Sequence, residues 1–298
     1  MNGSVHLLHK SVPTTLHLHA TIPAEHASSA ILGSERMGTA TLLRETGIAL
    51  TAHYIVAGAG EIEATTVEGT THRAKVLGID FESGVAVLGV DVPGATGLRL
   101  RGSEDLALGE DVFLVASVGE GRRVNSGNVS SIAPFEAFWE YSLECAVTVT
   151  ADNPGLPGGP LLDRFGRMVG IVALSLAEVG KPTLVIPESA ARAVIGEIEK
   201  TGTYRSSSPR AWIGITCYPL RDHVVVAGVL PGSPAERAGL QPGDLIVALD
   251  GEATTDRRTL YSRIWRHRRG ARLRLRVLRK DQASDVEVLA SAIEEYFA

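Results

Sequence analysis

Most of the first two-thirds of this chain consists of short runs in which apolar and polar residues alternate. Glycine-containing turns separate these runs. Segments of this length and spacing are typical of β-strands, and hardly any helical period interrupts them. The pattern therefore predicts a mainly β protein built from barrels or sandwiches. The predicted strands are Thr39–Arg44, Ile48–Thr51, Glu61–Thr66, Arg73–Asp80, Val85–Val90, Asp111–Ser117, Asn125–Ile132, Leu143–Val149, Met168–Leu174 and Pro182–Ile186.

A helix is predicted where this pattern ends. Residues 187–200 change to a 3.6-residue period that places Val194, Ile195 and Ile198 on one side, with Ser189 as the predicted N-cap. A polar, Ser-rich stretch, 202–210, follows and is the predicted domain boundary.

The chain beyond this boundary differs in pattern and in charge. It mixes short helices with strands predicted at Trp212–Tyr218, Val224–Val229, Arg272–Arg279 and Ser284–Leu289. Up to residue 204 there are 14 Lys and Arg against 23 Asp and Glu, a net charge of −9, whereas the remainder has 15 against 11, a net charge of +4. A chain of 298 residues is long enough for about two domains. We therefore predict an N-terminal extension with a first strand (1–34), a first domain (35–200), a linker (201–210) and a second domain (211–292).

The cysteines and the N-terminus suggest a compartment. Cys145 and Cys217 fall on either side of the boundary, which predicts reduced, buried thiols instead of a disulfide framework. No window of 18 apolar residues predicts a membrane-spanning helix. The N-terminus lacks a basic segment followed by a long apolar run, so the chain as written is predicted to be cytoplasmic. Removal of a leader would leave the same sequence, and an extracytoplasmic location therefore stays open.

Three segments of the first domain carry a resemblance to a known family. Asn153–Leu161 reads N-P-G-L-P-G-G-P-L and resembles the N-P-G-N-S-G-G-P-L nucleophile loop of HtrA/Deg serine proteases, with Pro157 at the serine position. Leu50–Ala59 resembles the segment that carries the family's catalytic histidine, and Tyr54 stands at that position. Asp80–Leu88 resembles the segment of the catalytic aspartate, where Gly84 stands. The resemblance implies a chymotrypsin-like double β-barrel.

These substitutions predict a chain that is not an enzyme, a pseudoprotease. Proline offers no hydroxyl to form an acyl-enzyme, and it lacks the N–H that helps to form the oxyanion hole. One lost oxyanion donor alone costs about 2.7–4 kcal/mol of transition-state stabilisation. Two alternatives stay open: an active serine-type endopeptidase with unconventional residues, such as a displaced His53–Glu82 pair, or an architectural subunit that assembles with an active HtrA-like protease or with itself.

The second domain resembles the PDZ domains of the same family, a small α+β fold. Val229–Ile246, with its Leu-Pro-Gly-Ser-Pro-Ala and Pro-Gly-Asp motifs, is the most recognisable segment. The resemblance implies that a loop made by Trp212, Ile213, Gly214 and Ile215 binds a terminal carboxylate through backbone N–H groups, and that the next strand accepts a peptide by β-addition. Leu260 and Ile264, on a flanking helix, would shape the pocket for the last side chain of the peptide or pack in the core. Peptide or protein C-termini are therefore the predicted partners.

Other ligands are not predicted. The basic segment Arg263–Lys280 is a candidate for nucleic-acid binding. Its arginines, however, alternate with apolar residues, as on the solvated face of a strand. Neither nucleic-acid binding nor a membrane span is therefore expected. His17 and His19 share a face of a predicted strand within residues 11–20, but no carboxylate or cysteine cluster accompanies them. No metal or cofactor is expected.

Overall fold

The computed structural model describes residues 9–43, 47–176 and 183–297. They form two compact units, which are described separately: residues 1–134 with 143–205, and residues 135–142 with 206–298. The predicted domain limits place the whole of 35–200 in the first domain, whereas segment 135–142 belongs to the second unit.

The first unit begins with a closed six-stranded barrel, in the order β1-β2-β3-β6-β5-β4. Its strands are β1 Thr15–Thr21, β2 Glu35–Leu42, β3 Ile48–Ala52, β4 Glu61–Thr65, β5 Thr71–Asp80 and β6 Val85–Val90. Two short helices, α1 (Ser29–Leu32) and α2 (His53–Val56), lie between strands. β1, which the sequence pattern places in an extension, pairs with both β2 and β4. Its alternating Leu16 and Leu18 are fully buried, so this strand is part of the barrel wall.

A second closed barrel follows, in the order β10-β11-β12-β9-β8-β7. Its strands are β7 Asp111–Val118, β8 Gly121–Glu136, β9 Ser142–Val149, β10 Pro160–Asp163, β11 Met168–Ser175 and β12 Thr183–Pro187. The predicted double β-barrel is therefore confirmed. The sequence pattern does not predict β10, because all four of its residues are buried and buried and exposed positions therefore do not alternate along it.

The helix α3 (Glu188–Thr201) follows β12 and ends at Gly202, whose φ of 81° is left-handed. The prediction of Ser189 as its N-cap is wrong, because the helix begins at Glu188, directly after Pro187. The Ser189 hydroxyl instead accepts a hydrogen bond from Ser103 (3.0 Å).

The second unit is a PDZ-like sheet with helices. The strand order is β13-β14-β15-β17-β18, with β16 beside β15, so β13 is an edge strand. The elements are β13 Ile215–Leu220, β14 His223–Val229, α4 Pro234–Arg237, β15 Leu245–Leu249, β16 Glu252–Ala253, α5 Arg257–Ile264, β17 Arg272–Arg279, β18 Gln282–Leu289 and α6 Ile293–Phe297. The predicted strand at 212–218 begins too early, because Gly214 has a φ of +84° that extended strands do not use.

The β17 arginines lie on a solvated face, as their alternation indicates. Arg274 and Arg276 contact Asp285 of β18, and Arg272 contacts Glu287, so neighbouring carboxylates balance this row of positive charges. The prediction of two buried thiols is half wrong, because Cys217 is buried but Cys145 is exposed.

Two further observations concern membranes and metals. No helix within the described ranges is long and apolar enough to cross a membrane. The same residues contain no group of three or more His, Cys, Asp and Glu that could hold a metal ion. His19 instead lies 2.6 Å from the Glu35 carboxylate.

Candidate functional sites

The loop at 153–159, in the first unit, is held by backbone hydrogen bonds from strands of both barrels. Leu156 N–H donates to the Ser117 carbonyl (2.8 Å), and Thr39 N–H donates to the Pro157 carbonyl (2.7 Å). Gly158, with a φ of +94°, donates to the Val172 carbonyl (2.7 Å). A Cβ at Gly158 would lie 2.2 Å from the Thr39 carbonyl oxygen, so this position requires glycine. The loop therefore keeps a tightly specified backbone with Pro157 at its turn.

Tyr54 lies on the first turn of α2 and reaches β11. Its hydroxyl donates to the Ala173 carbonyl at 2.6 Å, and burial raises the pKa of the phenol. Arg36 holds the end of this helix by donating to the carbonyls of Tyr54 (2.8 Å) and Ala57 (3.1 Å). A neutral phenol bonded to a strand carbonyl thus stands where the resemblance places an imidazole.

His53, one residue earlier, faces the turn between β5 and β6. Its Nδ1 lies 3.1 Å from the Gly84 carbonyl oxygen, and its ring packs edge-on against Phe81 at 5.4 Å between centroids. Burial lowers its pKa to about 4, against the opposing effects of the Gly84 carbonyl and of Asp80. His53 is therefore neutral at pH 7. Asp80 accepts hydrogen bonds from Glu82 N–H and from the Ser83 hydroxyl, and so shapes the turn that holds Gly84.

A Ser–His contact that the sequence did not predict lies beside the loop. His17 Nδ1 is 3.3 Å from the Ser117 hydroxyl, which also donates to the Gly38 carbonyl (3.0 Å) and lies 2.9 Å from the Thr39 hydroxyl. The tautomer of His17 determines whether its Nδ1 donates to or accepts from this hydroxyl, and Ser117 is fully buried. No sequence spacing indicates this contact, since it depends on the packing of β1 against β7.

The loop at 213–215, which ends on the first residue of β13 in the second unit, gathers three N–H groups on one carboxylate. Glu140 Oε1 accepts from Ile213 (3.0 Å), and Oε2 accepts from Gly214 (2.6 Å) and Ile215 (3.1 Å). Glu140 is only 7% exposed. Burial raises its pKa to about 7, although the three N–H groups oppose this shift. The loop therefore has the geometry of a carboxylate-binding site.

The other predicted groove residues have different surroundings. Trp212 N–H donates to the Ser291 carbonyl (2.8 Å), and its ring packs against Tyr296 at 4.8 Å, so Trp212 supports the loop from behind. Leu260 and Ile264 are fully buried in the core of the unit. On the same helix, the hydroxyl of Tyr261, which the sequence did not single out, donates to the Ala137 carbonyl (3.1 Å). The assignment of these residues to peptide binding stays a prediction.

Comparisons with known proteins agree with both units. A family described as trypsin-like peptidase domain matches residues 38–171, and the PDZ domain family matches residues 211–289. A protein of Hahella chejuensis named as a DegP-like periplasmic serine endoprotease is 30% identical over 274 residues, which are 86% of this chain and 57% of that protein. A protein of Synechocystis named as the serine protease HhoA is 29% identical over 277 residues, 84% of this chain and 69% of that protein. The chain thus spans a little over half of the DegP-like relative.

Solved structures give the same fold. A structure of the HtrA-type protease AlgW with tripeptide has a TM-score of 0.59 and 25% identity, covering 96% of both chains. A serine endoprotease from Yersinia pestis has a TM-score of 0.57 and 20% identity, covering 98% of both.

These comparisons correct one prediction. We expected from Tyr54, Gly84 and Pro157 that the chain is not an enzyme, and the comparisons contradict this expectation, because the similar proteins are named serine endoproteases and HtrA-type proteases.

Proposed function

Because this chain combines an HtrA-like trypsin-fold domain with a PDZ domain, we propose that it binds peptides or proteins, and that the loop at 213–215 recognises their C-terminal carboxylates. The observation that carries this proposal is the convergence of three backbone N–H groups on one carboxylate. Capture of a C-terminal carboxylate by several backbone N–H groups is a recurring mode of peptide recognition. The similar structure of the HtrA-type protease AlgW with tripeptide also supports it.

The edge strand β13 supplies the second element of recognition. An extended peptide can add to such an edge, where main-chain hydrogen bonds give affinity and side-chain pockets give specificity. Cys217 N–H already donates to a backbone carbonyl, that of Phe138 (2.6 Å), across this edge. A bound C-terminus would run antiparallel to β13 and end at the loop.

A pair of peptides tests the proposal. The probe is a fluorescein-labelled peptide that repeats residues 132–139, Ile-Ala-Pro-Phe-Glu-Ala-Phe-Trp, with a free terminal carboxylate, and its partner is the same peptide with a terminal amide. We expect the carboxylate form to bind the full chain at least about tenfold more tightly in fluorescence anisotropy, since hydrogen bonds to charged groups contribute about 1.5–3 kcal/mol. Equal binding of the two forms contradicts carboxylate recognition.

Two glycine variants provide a matched comparison. Gly214 and Gly239 have φ values of +84° and +81°. A Cβ at Gly214 would lie 2.3 Å from Ser233 Cβ, whereas a Cβ at Gly239 meets nothing within 4 Å. Gly214→Ala should therefore abolish the preference for the carboxylate peptide, and Gly239→Ala, which carries the same backbone strain, should retain it.

Peptide-bond hydrolysis is a second candidate, and the names of the relatives favour it. Tyr54, Gly84 and Pro157 supply no nucleophile, imidazole base or orienting carboxylate, so a hydrolytic reaction would use other residues. Fluorophosphonate labelling of the unaltered chain, followed by mass spectrometry of the labelled peptide, would identify the nucleophile, and casein degradation would measure turnover. Absence of both label and cleavage contradicts this candidate.

The name of the DegP-like relative supports an extracytoplasmic location. The DegP-like relative is named as periplasmic, which does not support the cytoplasmic prediction. Fractionation of cells that produce the tagged protein tests this, and recovery in the cytoplasmic fraction alone contradicts it. The predicted assembly with an HtrA-like protease or with itself stays a prediction.

A further inference from the structure

Segment 137–141 lies along the edge of β13 in the manner of a peptide ligand. Trp139 forms an antiparallel bridge with Thr216, and Cys217 N–H donates to the Phe138 carbonyl at 2.6 Å. Because β13 is at the end of its sheet, this edge has no other strand beside it among the described residues. The segment therefore occupies the edge that β-addition would use.

The segment also supplies the carboxylate at the loop. It runs antiparallel to β13, so that Glu140 reaches the loop directly after Trp139 has paired with Thr216. Both oxygens of Glu140 are engaged by the N–H groups of residues 213–215. A side-chain carboxylate thus occupies the place of a terminal carboxylate.

Flanking contacts fix the segment in place. Phe138 stacks on Tyr218 of β13, with ring centroids 5.7 Å apart and an interplanar angle of 18°, and Trp139 stacks on Tyr141 at 6.3 Å and 13°. The Ala137 carbonyl accepts from Tyr261 (3.1 Å) on α5, and Glu136 pairs with Arg258 (2.8 Å) on the same helix. Tyr218 belongs to β13, and Tyr261 and Arg258 belong to α5, so both elements that flank the predicted groove contact the segment.

We propose that residues 137–141 are a built-in ligand of the PDZ groove, with the Glu140 side chain in place of a terminal carboxylate. An external C-terminal peptide then binds only in exchange with this segment, and an internal aromatic–Glu–aromatic sequence is a second ligand class for the groove. This inference rests on the proposed peptide-binding function. It extends that function by identifying a competitor within the chain.

The test compares Glu140→Ala with Glu144→Ala in the full chain, using the probe peptide with a free carboxylate. Glu144 is an exposed glutamate of β9 and serves as the control. We expect Glu140→Ala to bind the probe at least tenfold more tightly than the unaltered chain, and Glu144→Ala to bind it as the unaltered chain does. Equal affinity of all three proteins overturns the built-in ligand and leaves peptide binding intact.

A second measurement does not depend on the probe. In amide hydrogen exchange, Gly214, Ile215 and Cys217 should exchange at least tenfold faster in Glu140→Ala than in the unaltered chain, because their acceptors leave with the segment. Glu140→Gln, which keeps the side-chain size but only one oxygen acceptor, should show a smaller increase. If no protein binds the probe, peptide binding is overturned, and unchanged exchange at these amides overturns the built-in ligand separately.

Discussion

The release of the built-in ligand should become easier as pH rises, and the pKa of Glu140 determines by how much. Burial against the loop raises this pKa from its ordinary value of 4.5 to about 7. A released, solvated Glu140 would return to the ordinary value. The difference corresponds to about 3 kcal/mol, because one pKa unit is worth about 1.4 kcal/mol.

The direction follows from proton linkage. The bound segment holds its proton more tightly than the released one, so its extra stability is fully present below about pH 4.5 and is lost as pH rises through about 7. Between pH 5 and pH 8 the ratio of released to bound segment should increase about 70-fold. Two neighbouring groups do not titrate in this interval, since burial raises the pKa of Cys217 to about 11 and raises that of Tyr261 as well. Arg257 is the charged group that acts electrostatically on both of them.

Fluorine NMR can measure this ratio. The protein is produced with 5-fluorotryptophan in place of tryptophan, so that Trp139 gives a fluorine signal. A Trp139→Phe variant assigns this signal among the three tryptophans. Saturation transfer then quantifies the released population at pH 5, 6.5 and 8. In Glu140→Gln the ratio should not depend on pH over this range. A ratio that falls with rising pH, or a dependence that persists in Glu140→Gln, would refute the reasoning.

Three further predictions concern the first unit. Tyr54→Phe should lower the free energy of unfolding by about 1–2 kcal/mol in urea denaturation, because it removes the hydroxyl that donates to the Ala173 carbonyl. An unchanged free energy of unfolding would contradict this hydrogen bond. Gly158→Ala should lower the free energy of unfolding by at least about 3 kcal/mol in the same assay, because its Cβ would lie 2.2 Å from the Thr39 carbonyl oxygen in a left-handed conformation. A decrease of less than about 1 kcal/mol would contradict this reasoning. Pro157→Ser should show no more fluorophosphonate labelling than the unaltered chain, because the phenol of Tyr54 stands where a general base would be needed to activate the serine. An increase in labelling would contradict this role of Tyr54.

Elements with one buried face can be predicted from sequence. The pattern places β17 residue for residue at Arg272–Arg279, because arginine and apolar residues alternate there and the pairing with β18 keeps the arginines solvated. The period of α3 identifies the helix but not its first residue, since the helix follows Pro187 without a side-chain cap. Local pattern thus predicts the existence of elements better than their ends.

The contents of the groove cannot be predicted in this way. Resemblance identifies the loop at 213–215, but Glu140 lies 73 to 75 positions earlier in the chain, and no local period links the two. Residues 138–141 place a glutamate between aromatic residues, which is a local signal of this contact. Its partner becomes visible only with the tertiary structure.

The location of Glu140 between β8 and β9 affects how the groove can respond to its surroundings. A ligand that is part of the chain is present at its own site at an effective concentration that is set by the chain itself and does not depend on the amount of protein. A free peptide of equal intrinsic affinity must therefore exceed this effective concentration to occupy most of the grooves. Only peptides that are abundant, or that bind much more tightly than the tethered segment, would occupy this groove. The groove would therefore respond to a peptide only above a threshold concentration.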